Sequence, residues 1–578
     1  MKKLILIIIV TAVAFSVQAK PATDSLIPSS SVNRYDVVID EIMADPTPSV
    51  GLPNCEWIEI RNVSLNEINL QNWRIAKTTA SGVMRPFILK PDSSVIICSS
   101  GSITEMSAYG ATISVTNFPA LTNSGDLISL ISSDGRTIHA VNYSDEWYQN
   151  ELKKDGGWSL EMIDLNNPCA SSENWTASQS SIGGTPGQIN SVDAVNIDIT
   201  YPQLLRSFAK DSTHLILYFN EPLDSLKATN ISRYSINEGI GNPLSAKPLS
   251  PLFNEILLEL NSPLIRNKIY TVEVNGLTDC MQNEIASYNH TRTGLYEATD
   301  SLDVVVNEIL FNPKPDGVDY LEIYNRSEKI LNLKNLHIAN LNSLGIIDNI
   351  IAVTHHDYLF FPGDYFVITE EPAVIKRNYL TKNPENLIKV SSLPSMNDDE
   401  GHVILINENG HITDRVDYKD DWQFKLITDA EGVSLERINC NRNSQDEHNW
   451  HSASSSAGFG TPTYKNSQSD SDEFNAATIT VEPNVISPDN DGNNDFASIH
   501  YSFDEPGYVA NVFLFDAYGR NIKQLQRSAL CGRSGQFIWD GLNNNNQKLP
   551  TGIYIIYTEV FNLQGKVRKY KNTIVVKE

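Results

Sequence analysis

After its first fifteen residues the sequence has no run of about eighteen apolar residues, so nothing further along is expected to cross a bilayer as a helix. It contains no H-E-x-x-H, no G-x-S-x-G elbow, no phosphate-binding loop and no G-x-G-x-x-G. No domain-sized segment is left over to host an unrecognised active site, so the expectation is a protein that is not an enzyme. The six cysteines, Cys55, Cys98, Cys169, Cys280, Cys440 and Cys531, include no C-x-x-C pair. Scattered over 578 residues they are no disulfide framework, although export permits one bridge among Cys55, Cys98 and Cys169. Basic residues are scarce: 44 Lys and Arg stand against 70 Asp and Glu, a net charge of -26. Binding nucleic acid depends on cations that neutralise phosphates, so the acidity argues against nucleic acid as a general partner. An acidic surface suits a solvated exported protein and can recruit divalent cations.

What is present begins with an export address. Lys2 and Lys3 precede an apolar stretch from Leu4 to Phe15, and Val17-Gln18-Ala19 supplies small residues at a cleavage site. Residues 1–19 are expected to be a signal peptide. No Cys follows, which argues against a lipid-modified N-terminus.

The strongest internal signal is a duplication. DVVIDEIMADPTP from Asp36 matches DVVVNEILFNPKP from Asp303, and EWIEIRN (Glu56 to Asn62) matches DYLEIYN (Asp319 to Asn325). INLQNWRIA matches LNLKNLHIA, Asp134-Gly135 matches Asn409-Gly410, and VNYSDEW matches VDYKDDW. Both copies close with Ser-Leu-Glu (Ser159, Ser434), Asn-Trp (Asn174, Asn449) and Gly-Thr-Pro (Gly184, Gly460), in the same order. WIEI and LEIY alternate apolar and polar residues as half-buried strands do. The D-G and N-G dipeptides supply the positive φ that tight hairpin turns require. Short strands and frequent turns over each copy predict an all-β fold of tandem Ig-like β-sandwich domains.

These motifs resemble the lamin tail domain, an Ig-like β-sandwich that opens on N-E-I and continues with W-[IV]-E-[IL]-x-N and L-x-x-W-x-[IL]. Here they are Asp40-Glu41-Ile42, Trp57 to Asn62 and Leu70 to Ile75, then Asn307-Glu308-Ile309, Tyr320 to Asn325 and Leu333 to Ile338. The first copy departs at Asp40, and the second has Tyr320 and Leu336 in place of tryptophan. The resemblance sets lamin-tail-like domains at residues 35–190 and 302–466. Between them, residues 196–296 contain LILYFNEPLD, which resembles the Ig-like spacer module of bacterial surface-layer proteins. Residues 467–477 are polar and acidic and read as a linker. Residues 478–578 run I-S-P-D-N-D-G-N-N-D-F, F-D-x-x-G-R, W-D-G and P-T-G-x-Y. They resemble the C-terminal Ig-like domain of gliding-motility and type IX secretion cargo of the Bacteroidetes lineage. That resemblance implies handling by outer-membrane secretion machinery and attachment at the cell surface, the periplasm being the alternative location.

Candidate chemistry is sparse. Asp489, Asp491, Asn493 and Asp495 alternate around Gly492, a spacing of hard oxygen donors that suits Ca²⁺. Asn494 and His500 stand where an EF-hand needs Gly and Glu, so the loop is not an EF-hand, and the competing reading is an Asx-rich turn. Glu41, Glu59, Glu308 and Glu322 recur on apolar strands. They read either as acid/base pairs or, favoured here, as buried carboxylates satisfied by backbone. Asp398-Asp399-Glu400 and Asp420-Asp421 read as solvated loops. His448 and His451 with Cys440 hint at a metal, but the first copy has Glu173 and Thr176 at the two histidine positions. The expected function is a non-catalytic surface binding or adhesion protein for an unidentified protein or glycan. Two alike domains would allow avidity. The alternatives are a structural envelope scaffold or an accessory to a secreted hydrolase or nuclease.

Overall fold

A computed structural model describes residues 32–470 and 477–577. The signal peptide and the greater part of the linker lie outside the described residues. The protein is all-β; among the described residues the helices are short, and none is long and apolar enough to cross a membrane. Among the described residues two compact units emerge: residues 32–199 with 250–252, and residues 200–249 with 253–470 and 477–577.

The first unit is organised around Val37–Met43. All seven of its side chains are buried, so it is covered on both faces and does not alternate. It pairs antiparallel with Trp57–Asn62 on one side and Leu160–Met162 on the other. Ten strands form one hydrogen-bonded sheet, because Thr112–Thr116 lies parallel to Ser94–Cys98 and also pairs with Ser81–Met84. Gly82 permits that second pairing: a Cβ there would sit 2.6 Å from Val115 Cγ2. The sheet encloses one core in which Ile58, Ile60, Trp73, Ile128, Leu130 and Trp175 meet.

The second unit contains the other copy. Val304–Leu310 again lies between Tyr320–Asn325 and Leu435–Arg437, now in a six-stranded sheet. A separate four-stranded sheet holds His337–Leu341, Ile347–Ala352, Glu400–Ile406 and Ile412–Lys419. The position opposite Ile75 is Gly82, whereas the position opposite Ile338 is Ile351. A branched side chain replaces the glycine, and the two sheets stay apart. The D-G and N-G turns join strands as hairpins in both copies, with Gly135 at φ 88° and Gly410 at φ 77°.

The same unit holds the Ig-like module, a four-stranded sheet from Leu204–Ala209 to Ser245–Pro248 facing a three-stranded one. It also holds the C-terminal module. There Thr478–Glu482, Ala497–Ser502 and Ser534–Trp539 oppose a five-stranded sheet built on Val509–Asp516, Gly552–Phe561 and Val567–Val576. Ile499, Val512, Trp539 and Ile556 share that core.

The bridge that export would permit among Cys55, Cys98 and Cys169 does not form. Cys55 and Cys98 are free thiols, and Cys169 is disulfide-bonded to neither.

The asparagine that ends W-I-E-I-x-N is a buried staple in both copies. Asn62 donates to the carbonyls of Asn66 and Leu89, and Asn325 donates to those of Lys329 and Phe360. The Asn325→Ala variant is expected to leave both carbonyls dry and cost about 2–3 kcal/mol, read as a lower denaturant midpoint of the second unit.

Candidate functional site

The bulge that both opening strands carry, between Ile39 and Glu41 and between Val306 and Glu308, sets the following glutamate in register with two others. Glu41 lies opposite Glu59 and Glu161; Glu308 lies opposite Glu322 and Glu436. Each copy thus holds three carboxylates side by side across neighbouring strands, all with zero exposure.

A strap closes over each row. In the first copy the Thr185 amide donates to Glu41 Oε1 (2.7 Å), the Gly187 amide to Glu59 (2.5 Å) and the Ser191 hydroxyl to Glu161 (2.7 Å). In the second the Thr461 amide donates to Glu308 (2.9 Å), the Thr463 amide to Glu322 (2.6 Å) and the Ser467 hydroxyl to Glu436 (2.8 Å). Asn190 and Asn466 fasten the strap further by donating to carbonyls of the strands beneath. The glycine of G-T-P is required by proximity: a Cβ on Gly184 would lie 2.9 Å from Glu41 Oε1, and one on Gly460 would lie 2.8 Å from the Tyr320 hydroxyl. Ser467 and Gln468, read from composition as the start of a linker, are strap residues: the Gln468 amide donates to Glu436.

Burial pushes carboxyl groups of both rows upward in pKa. Glu59 is raised to about 8 by desolvation and by Asp40; Glu436 is raised to about 8 by desolvation and by Glu308. Glu41, Glu308 and Glu322 are raised by burial as well. Geometry says the same. Thr461 has one hydroxyl proton, yet its oxygen is 2.9 Å from Glu308 Oε2 and 2.8 Å from Glu436 Oε1. Both contacts are hydrogen bonds only when one carboxyl group keeps its proton and donates it to the hydroxyl oxygen.

The copies solve the flanking electrostatics differently. Asp40 is ion-paired to Arg61 at 2.7 Å, and Arg61 also reaches the Gln188 carbonyl. Asn307 and Tyr324 occupy the matching positions, and Asn307 donates to Glu322 without a charge. The bulged amide of Ile39 donates to His139 Nδ1, that of Val306 to Asp414, which pairs with the buried Arg437 at 2.8 Å. Tyr320, standing where the family has tryptophan, donates to Glu308 at 2.6 Å.

Of the calcium candidates, the carboxylates of Asp489, Asp491 and Asp495 approach within 4.8 Å of one another. They also cap their own loop: Asp495 accepts from the amides of Asp489, Asn490 and Gly492, and Asp491 from that of Asn493. Asp398, Asp399, Asp420 and Asp421 are exposed, and Glu400 pairs with Lys419. His448 is exposed beside Glu447, while His451 turns inward against Phe424; with Cys440 they form no converging group among the described residues. A cleft of about 620 Å³ in the second unit is walled by Trp422, Phe424, Trp450, His451, Pro506 and Leu563.

Sequence reasoning found two glutamates of each row and missed Glu161 and Glu436. Their signal was the Ser-Leu-Glu block shared by both copies. It also missed the Asn-Ser that follows Gly-Thr-Pro in each.

The lamin tail domain model matches residues 30–145 and 297–420, and a type IX secretion signal domain model matches residues 479–576. No curated protein matches the chain. Among solved structures the chain is similar to the N-terminal part of the bacterial S-layer protein SbsC, at 17% identity over 30% of this chain and 41% of that one, with a TM-score of 0.16. It is similar to a DUF4876 family protein from Bacteroides thetaiotaomicron at 13% identity, over 40% and 86% of the two chains, with a TM-score of 0.18. It is also similar to PorZ, a surface component of the type-IX secretion system of Porphyromonas gingivalis, at 11% identity over 92% and 74%, with a TM-score of 0.15. The chain therefore spans less than half the length of the SbsC fragment.

A carboxylate whose folded pKa lies above its unfolded value holds a proton that the unfolded chain releases. Its stabilisation is complete below about pH 4.5 and is lost as pH rises through about 8. The melting temperature of the second unit is expected to fall more steeply between about pH 5 and about pH 8 in the native chain than in Glu436→Gln, whose amide mimics the protonated acid. Parallel pH profiles would remove the row from the account.

Proposed function

We propose that this chain, with two lamin tail domain regions and a C-terminal type IX secretion signal domain, is an exported, non-catalytic binding protein displayed at the cell surface. The observation that carries the reading is the closure of both glutamate rows. The carboxylates that a hydrolase would use are spent on holding the strap, and no solvent reaches them. The two sandwiches then act as rigid carriers, and the secretion domain supplies the address. The aromatic cleft around Trp422 and Trp450 offers a ligand the apolar and stacking contacts that a protein loop or a sugar ring uses.

Protease shaving of intact cells tests the display. The full chain is expected to be digested, and a chain ending at Asn475 is expected to be protected inside. Protection of both would move the protein to the periplasm and favour an envelope scaffold.

We further propose Ca²⁺ as ligand of Asp489, Asp491 and Asp495, with Asn493 completing an oxygen set of the kind this cation takes. Millimolar Ca²⁺ is expected to raise the melting temperature of the C-terminal module, and Asp491→Asn is expected to abolish that rise. An unchanged melting curve in the native chain would leave the loop as a self-capped turn.

A further inference from the structure

The charge of the chain is unevenly placed. Residues 478–578 contain as many Lys and Arg as Asp and Glu, so the net charge of -26 resides entirely in the preceding residues. Against that acidic background, a second cleft in the second unit, of about 740 Å³, gathers Lys382, Lys465 and Arg533. Arg533 is engaged by Asp470 at 2.6 Å. Lys382 lies over the Tyr464 ring at 4.5 Å, and neither it nor Lys465 has a carboxylate partner among the described residues. Both lysines are exposed.

One wall of this cleft is a sheet edge. Ser534–Trp539 is the outer strand of its sheet, bonded on one side to Ala497–Ser502. Ser534, Gly535 and Gln536 line the cleft. An open edge offers alternating amides and carbonyls to an added strand, and side-chain pockets beside it set which strand is taken. We infer that the cleft binds an extended acidic peptide segment, which pairs with the free edge of Ser534–Trp539 and places its carboxylates on Lys382 and Lys465. Backbone pairing supplies the grip, and the two lysines supply the preference for acidic sequence.

This site is separate from the aromatic cleft and does not depend on where the protein is displayed, so it is tested with the purified full chain in solution. The probe is a short fluorescein-labelled peptide of alternating glutamate and threonine, followed by fluorescence anisotropy. The expected result is saturable binding that weakens with salt and falls about tenfold in the Lys382→Glu/Lys465→Glu variant, whose melting temperature is unchanged. The same peptide N-methylated at alternate residues keeps its charge but cannot pair, and is expected not to bind. Equal binding of the N-methylated peptide would overturn the strand-pairing proposal. So would binding of oligogalacturonate without binding of the peptide, which would make the cleft an anionic-glycan site, or the absence of binding altogether.

Discussion

Three buried carboxylates in a row are the constraint on which each lamin tail domain depends. Placing them side by side on adjacent strands is costly, since burial and mutual repulsion both act against charge. The cost is offset only if donors meet every oxygen that the strands leave bare. The strap is that set of donors, and it brings amides and hydroxyls from residues that follow the opening strand by well over a hundred positions. The requirement for glycine in G-T-P, the bulge before Glu41 and Glu308, and the serine of Ser-Leu-Glu all follow from it. The glycine lets the strap come close, the bulge sets the glutamate in register with its two neighbours, and the serine brings a donor to the row.

The duplication shows which parts of this device are fixed. The row, the strap and the asparagine staples recur with the same partners. The surroundings do not, and the changes are coupled. Asp40 with Arg61 becomes Asn307 with Tyr324, so a charge and its counter-charge leave together. Met162 with His139 becomes Arg437 with Asp414, so an ion pair enters together on the other flank. Removing one member alone would leave a buried charge without a partner, which costs several kcal/mol. The charged positions that flank the rows have therefore diverged in pairs, while Trp57 becomes Tyr320 by itself and adds a donor to Glu308.

Much of this was legible in the sequence. The repeats and the D-G and N-G hairpins are local patterns, and they stand in the structure where the residues put them, whereas the half-buried strands read from the alternation of W-I-E-I and L-E-I-Y are corrected: Trp57 to Ile60 and Tyr320 to Ile323 are buried on both faces, the glutamates included. Burial of Glu41, Glu59, Glu308 and Glu322 against backbone donors was the favoured reading over acid/base chemistry. The third glutamate was not legible, because Glu161 is far from Glu41 in sequence and only strand order makes them neighbours. Seven consecutive buried residues in Val37–Met43 likewise depend on a second layer that no local period reveals. Composition misled at Ser467 and Gln468: polar residues look like linker until the carboxylate beneath them is known.

The strap of the second copy carries one further consequence. Gln468 donates its amide to Glu436, while its side-chain amide donates to the Ser452 carbonyl and to the Cys531 carbonyl of the C-terminal module. Ser456 meets Tyr501, and Arg533 meets Asp470, within the same stretch. One residue thus closes the lamin tail domain and anchors the secretion domain. The strap is the last part of the sandwich in the chain, and it lies across strands that pair with one another. The contact at Cys531 goes with the seating of the strap, because Gln468 makes both. The two closures therefore share Gln468, and the C-terminal module is bonded to the same strap that completes the sandwich.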